Sequence, residues 1–502
     1  MGNKSSQQVK PFEDWDEAPV DFPPQAPPTE LEIAARQINP AEHDFPFENI
    51  VFEGGGSKGL AYCGAVRVLE EIGLFPSIKR FAGTSAGAIT AALLSVGYNS
   101  HDVEKFMKKD LSKDFMLDGS FLWRVLTFIP RICSGYGLSP ASRVNDWLGE
   151  KFREKTGSPD ITFEQLYKFN GKELCVVVTN INNMAEEYCH PKTTPDMPVR
   201  LAVRMSMSIP GMFHVVRYNH ARQSQDNMYI DGGVLCNYPI HCFDGWWLSM
   251  KKEDTFIRKM HNIQEIPAIL SKGSRFGERN NKTLGFLVYS ESEADNFRFY
   301  LETRASVYWR SSSTLCRKRR SELIAKTRER KRVTDAINHF LPILDKYDAN
   351  LDGKIDMQEF RTIYDHLSGL DRATLFGHLD EPDAVFAQLD KNGDKEVTFQ
   401  EILQYIHHRG LAVNQLFLGY KRQDVAGIVS YGGAIFNTML LNLKRLYMEH
   451  ADVDRTVGIN TGHIETSDFD LEDEDIAFLL EQGKRTTIDF LKMYLTKNRK
   501  SV

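Results

Sequence analysis

Two serines in this 502-residue chain sit in the pattern G-x-S-x-G: Ser57, between Gly55 and Gly59, and Ser85, between Gly83 and Gly87. A nucleophilic serine on a sharp strand-to-helix turn needs small flanking residues, because the backbone there passes close to its neighbours. Ser57 lies inside EGGGSKGL, residues 53 to 60, where Gly54, Gly56 and Gly59 also spell G-x-G-x-x-G. Strand, glycine loop and helix in that order point backbone N–H groups at a negative charge. The stretch therefore suits a nucleotide phosphate, a nucleophilic serine, or an oxyanion generated elsewhere. A serine nucleophile also requires a base. Downstream, Asp231 ends the apolar run Met228–Ile230 against Gly232 and Gly233. His214, His241 and His463 are the candidates for a histidine triad, and none is set in a recognisable motif.

The surroundings separate the two serines. Ser85 opens the apolar stretch Ala88–Leu94, as a nucleophile at a helix start would. Ser57 stands beside Lys58 among consecutive glycines, a setting better suited to presenting amides. Strand-like runs at Ile50–Phe52, Arg80–Ala82, Leu174–Thr179 and Met228–Ile230 alternate with helical stretches such as Ala61–Leu74. That alternation predicts an α/β domain with mostly parallel strands. An apolar, aromatic patch between Asp110 and Ser139 reads as a buried helix, or as a lid or membrane-facing surface.

Taken together, Gly54–Gly59, then Gly83-Thr84-Ser85-Ala86-Gly87, then Asp231-Gly232-Gly233, resemble the patatin-like phospholipase family in order and spacing. Arg204–Gly211 is similar to that family's serine–proline segment, and Arg455–Leu491 to its last helices. The resemblance covers residues 49 to about 291 and 411 to 495. It implies a three-layer α/β/α domain and a Ser85–Asp231 dyad. Amides of Gly54, Gly55, Gly56, Lys58 and Gly59 would hold the oxyanion, and the glycines 83, 87, 232 and 233 would shape the turns.

Between the two covered stretches the chain changes character. Asp348, Asn350, Asp352, Lys354, Asp356 and Glu359 satisfy every ligand position of a twelve-residue EF-hand loop, with Gly353 at its sixth. Asp390, Asn392, Asp394, Glu396, Thr398 and Glu401 form a second loop, in which Lys395 replaces the turn glycine. A non-glycine residue in the left-handed region costs about 1–2 kcal/mol, which predicts a weaker site. Ca²⁺ is the implied ion, regulatory and not needed by the dyad. Ahead of these loops, Arg317 to Arg332 holds nine basic and two acidic residues. It reads as a solvated helical face, a patch for anionic lipid, or an internal target of the calcium loops.

Gross features set further limits. The chain has 62 basic and 68 acidic residues, a net charge of −6, which argues against a nucleic-acid partner. Seven scattered cysteines suit a reduced, intracellular protein. Met1-Gly2-Asn3-Lys4-Ser5-Ser6 fits the N-myristoylation pattern at Gly2, and a proline-rich tether follows. One myristoyl chain binds membranes only marginally, so a second membrane contact is expected. The expected layout is a tether over 1–48, hydrolase over 49–297, basic helical linker over 298–333, calcium-loop pair over 334–410, and returning hydrolase over 411–502. The expected function is a calcium-regulated lipid acyl hydrolase on the cytoplasmic face of a membrane, acting on phospholipids or other acyl lipids. The alternative is an inactive calcium sensor that binds lipid on the same scaffold.

Overall fold

A computed structural model describes residues 45–110, 135–219, 226–260, 262–290, 311–347, 353–377, 381–408 and 450–499, with scattered positions between 425 and 442. Gly2, the patch from 111 to 134, and Asp348, Asn350 and Asp352 lie outside the described residues.

The strands that matter are β1 (Asn49–Phe52), β2 (Arg80–Gly83), β3 (Glu173–Asn180), β4 (Ala185–Cys189), β5 (Val216–Tyr218), β6 (Asn227–Asp231), β7 (Thr283–Tyr289) and β8 (Thr456–Asn460). They form one sheet in the order β8-β7-β1-β2-β3-β6-β5, with β4 paired to β3. The five strands from β8 to β3 run parallel, and β4, β5 and β6 join antiparallel. Both faces of the sheet are covered, so the strands read as continuous apolar runs. Successive side chains of a strand point to opposite faces. Ile50 and Phe52 accordingly enter one core and Val51 the other, as do Val176 and Val178 against Val177.

The principal helices are α1 (Leu60–Glu71), α2 (Ala86–Ser95), α3 (Thr314–Tyr347) and α4 (Asp473–Arg499). The larger core packs α1, α2 and α4 on one face of the sheet. Glycines let α1 and α4 cross in direct backbone contact. A side chain at Gly64 would strike the Leu480 carbonyl, and one at Gly483 the Ala61 carbonyl. The smaller core lies on the opposite face, under the short helix Gly233–Cys236 and the irregular segment that follows it.

β8 resumes the sheet next to β7, with Thr456 opposite Gly285 and Asn460 opposite Tyr289. The segment between them therefore leaves and returns at neighbouring strands. Buried Arg455 fastens the return by pairing with Asp244 at 2.6 Å and Asp452 at 2.7 Å. Within this segment, helices around Phe340, Phe360, Phe376 and Phe386 enclose a core of their own. α3 runs unbroken for 34 residues, through Pro342, so the boundary expected at 333/334 falls inside a single helix.

Candidate active site

Ser85 caps the start of α2 with φ 53° and ψ −123°, a backbone conformation that L residues rarely adopt. The glycines around it explain how the turn is tolerated. A side chain at Gly87 would stand 2.5 Å from the carbonyl oxygens of Phe52 and Glu53, and one at Gly83 would strike Gly87 itself. Ser206 holds the turn from below: the Ser85 N–H donates to its hydroxyl at 2.9 Å, and that hydroxyl donates to the Val177 carbonyl at 2.6 Å.

Asp231 ends β6, opposite Val178 of β3, while Gly83 at the end of β2 lies opposite Val176. The register brings the ends of β2 and β6 together. Asp231 is only 2% exposed, and its carboxylate accepts the Gly233 N–H at 2.7 Å. Burial pushes its pKa up to about 7, against the opposing effects of the Gly233 amide and the Ser85 hydroxyl. The two side chains are close enough for the hydroxyl to stabilise the ionised carboxylate. Contacts of this kind commonly tighten when substrate binds.

The glycine loop lies beside them as a 3₁₀ turn over Gly56–Gly59 leading into α1. Its amides are not equivalent. The Gly54 N–H donates to the Asn237 carbonyl at 3.0 Å and the Lys58 N–H to the Gly55 carbonyl at 3.1 Å. These two of the five expected donors are therefore occupied, and Gly59 is drawn into the turn. Among the described residues, the Gly55 and Gly56 amides have no acceptor. Ser57 is committed elsewhere: its hydroxyl donates to the Glu465 carbonyl at 2.8 Å, and its amide to the Thr466 carbonyl at 3.2 Å. Lys58 is buried behind the loop.

A cavity of about 380 Å³ opens at Ser85, walled by Ile89, Met207, Phe213, Phe469 and Leu471 among others, and also touched by Gly56. That size lies within the range typical of ligand sites.

The three histidines lie apart from this pair. His241 is buried against the Tyr188 hydroxyl at 2.8 Å, and burial holds its pKa well below the usual imidazole range. His463 is half-buried, which disfavours its charge, yet the Asp475 carboxylate at 2.7 Å helps raise its pKa to about 9. His214 packs against Gly135. Among the described residues, no histidine hydrogen-bonds Ser85.

The inserted segment presents hard oxygen donors in its second loop. Asp390 accepts from the Gly393 N–H at 2.7 Å and the Lys395 N–H at 3.0 Å, and Asn392 and Asp394 accept from amides further along. Lys395 takes φ 65°, the left-handed conformation its position demands, and Gly353 matches it with φ 76° in the first loop. Lys354–Asp356 and Glu396–Thr398 pair antiparallel, with Ile355 opposite Val397. Asp356 caps the helix Met357–His366, Glu359 returns a bond to the Asp356 N–H, and Glu401 accepts from Thr398. The donor chemistry fits a hard cation. However, Lys354 ion-pairs with Glu396 across the two loops, and among the described residues no three carboxylates or imidazoles converge on one point.

Of the groups that support this site, Asn237 against the glycine loop carried no sequence motif, while Ser206 under the elbow and Asp468–Leu471 along the cavity lie in segments whose family likeness gave them no particular role. Each acts across more than a hundred residues of sequence from the group it touches, where local spacing gives no signal.

Residues 50–244 match the model of the patatin-like phospholipase family, a span that holds the glycine loop, Ser85 and Asp231. The α/β body is thus of the patatin-like fold, with a mostly parallel central sheet and helices on both sides. Among curated relatives, the uncharacterized protein YqhO of Bacillus subtilis is 33% identical over 198 residues, covering 38% of this chain and 65% of that protein. The probable lipid hydrolase 463L of Invertebrate iridescent virus 6 is 30% identical over 200 residues, covering 39% and 62%. The chain thus spans slightly less than two thirds of the length of these relatives. Among solved structures, VipD from Legionella pneumophila aligns with 89% of this chain and 67% of its own, at 16% identity and a TM-score of 0.38.

Proposed function

We propose that the protein is a lipid acyl hydrolase in which Ser85 is the nucleophile and Asp231 the base. One observation carries this reading: a strained serine that lines a largely apolar cavity has a buried carboxylate beside it. The Ser85 hydroxyl attacks the ester carbonyl carbon, and Asp231 takes its proton. The Gly55 and Gly56 amides stabilise the oxyanion, an interaction worth about 3–4 kcal/mol per donor. Asp231 then protonates the departing alkoxide, leaving an acyl-serine. Water, deprotonated by the same carboxylate, releases the fatty acid and restores Ser85. The apolar walls suit an acyl chain, and the label of the viral relative as a probable lipid hydrolase points the same way.

Calcium regulation belongs to the same proposal. Asp348, Asn350, Asp352, Lys354, Asp356 and Glu359 would hold one ion, and Asp390, Asn392, Asp394, Glu396, Thr398 and Glu401 a second, more weakly. The route to the site is α3. Arg319, near its start, donates to the His463 carbonyl at 2.6 Å and to the Asp468 carboxylate, and Asp468 lines the cavity. The other end of α3 packs into the core of the inserted segment through Val333, Ile337 and Phe340. Membrane attachment through an acylated Gly2 and the basic stretch of α3 completes the reading; no described helix is long and apolar enough to cross a membrane.

The test is fatty-acid release from mixed phospholipid vesicles by the purified full chain, with and without Ca²⁺. Release that disappears in Ser85→Ala supports the reading. Equal release from that variant, or none from the wild type under any calcium level, removes it and favours an inactive lipid-binding sensor.

A further inference from the structure

The glycine loop must keep two amides pointed at one spot, yet four of its seven residues from Gly54 to Leu60 are glycine, the residue with most conformational freedom to lose. Something outside the loop must hold it. At its far end Ser57 is tied to the carbonyls of Glu465 and Thr466. At its near end both backbone polar groups of Gly54 lead to one residue, Asn237.

Asn237 follows Asp231 by six positions, just after the short helix Gly233–Cys236, and is 6% exposed. Its backbone carbonyl accepts the Gly54 N–H at 3.0 Å. Its side-chain amide donates to the Gly54 carbonyl at 2.9 Å and to the Glu53 carboxylate at 3.0 Å. Gly54 is therefore gripped through both of its backbone polar groups by the same residue. The side-chain oxygen of Asn237 also bounds Gly233: a Cβ there would stand 2.7 Å from it and 2.9 Å from the Asp231 carboxylate. Glu53 is fully buried, and its second oxygen accepts the Val288 N–H of β7 at 3.0 Å. The brace thus joins the end of β1, the C-terminal half of β7 and the turn after β6.

We infer that Asn237 is a positioning residue that locks the oxyanion loop to the Asp231 turn, with Glu53 as its anchor. It touches no reacting atom. Its side-chain amide fixes the Gly54 peptide, and the Gly54 peptide sets where the Gly55 and Gly56 amides point. The inference rests on the hydrolase reading for its kinetic consequence, but the brace itself can be measured without any activity.

Replacing Asn237 by Asp keeps the shape and removes both donated bonds, and it also places a carboxylate against Glu53. Adding Glu53→Gln restores a donor to that pair with reversed polarity, leaving only the Gly54 carbonyl unserved. The readouts are ester hydrolysis on a soluble p-nitrophenyl acyl ester and hydrogen exchange of the peptide spanning residues 53–60, both on the full chain. Asn237→Asp is expected to lower kcat by tenfold or more with KM changed less than threefold, and to speed exchange of the loop peptide about tenfold. Asn237→Asp/Glu53→Gln is expected to recover part of both, which a merely destabilised protein would not do. Unchanged exchange in Asn237→Asp, or unchanged kcat in an active protein, overturns the brace. If the wild type shows no esterase activity, the exchange experiment still decides: faster exchange confined to residues 53–60 supports the brace and indicts only the hydrolase reading.

Discussion

Asp231 gives the sharpest quantitative handle on this protein, because the same burial that would fit it for the proposed role of base should cost the fold stability. Its pKa is pushed from 3.8 to about 7, chiefly by removal from water, with the Gly233 amide and Ser85 hydroxyl resisting. A carboxyl whose folded pKa is raised binds its proton more tightly in the folded state. Stability is therefore lost as pH rises from the unfolded pKa, near 4, to the folded value near 7, and the loss is complete above that. At about 1.4 kcal/mol per pH unit, the cost is on the order of 1–2 kcal/mol at pH 5 and on the order of 4 kcal/mol at pH 8. Asparagine in its place has no charge to desolvate and can still accept the Gly233 N–H. It gives back about 1 kcal/mol, because a neutral acceptor is weaker than a charged one. Asp231→Asn is thus expected to be inactive yet more stable at pH 8 by about 3 kcal/mol, with the advantage shrinking to under about 1 kcal/mol at pH 5. Thermal melts of both proteins across that pH range test this. An Asp231→Asn variant no more stable than wild type at pH 8, or an advantage independent of pH, would refute the reasoning. The same ionisation should make kcat/KM fall about tenfold per pH unit below pH 7.

Three other outcomes follow from the arrangement. Glu359→Gln should change the calcium dependence of hydrolysis far more than Glu401→Gln, because Lys395 forces a left-handed non-glycine residue into the second loop; rates measured against buffered Ca²⁺ check it, with activity in chelator little altered by either. Arg319→Ala removes the grip of α3 on His463 and Asp468, and should cost about 1–2 kcal/mol of stability and weaken the response to Ca²⁺, as melts and titrations will read. Gly2→Ala should move protein from membrane to soluble fractions in cells, and neutralising Arg317–Arg320 should move it further; unchanged partitioning would dismiss the lipid anchor.

Much of this was legible in the sequence because local sterics forced it. The elbow at Ser85 works only with glycine two residues either side, and the alternation of apolar and turn residues marked β1, β2, β3 and β6 within a residue or two. What escaped were groups whose role depends on distant partners. Nothing near Asn237 announces that its amide faces Gly54, and nothing in Glu465-Thr466 announces that their carbonyls hold Ser57. Nothing in the glycine loop's sequence tells its amides apart, whereas in the structure the Gly54 and Lys58 N–H groups donate to the Asn237 and Gly55 carbonyls. At 333/334 the composition shifts from basic to apolar, but the backbone of α3 continues through that point.

The central claim is that Ser85, and not Ser57, is the nucleophile. The most direct test is to label the purified chain with a fluorophosphonate and map the adduct by mass spectrometry in wild type, Ser85→Ala and Ser57→Ala. The expected adduct is on Ser85, absent from Ser85→Ala and retained in Ser57→Ala, whose lost bonds to Glu465 and Thr466 cost only about 1 kcal/mol. An adduct that persists in Ser85→Ala and vanishes in Ser57→Ala would contradict the assignment.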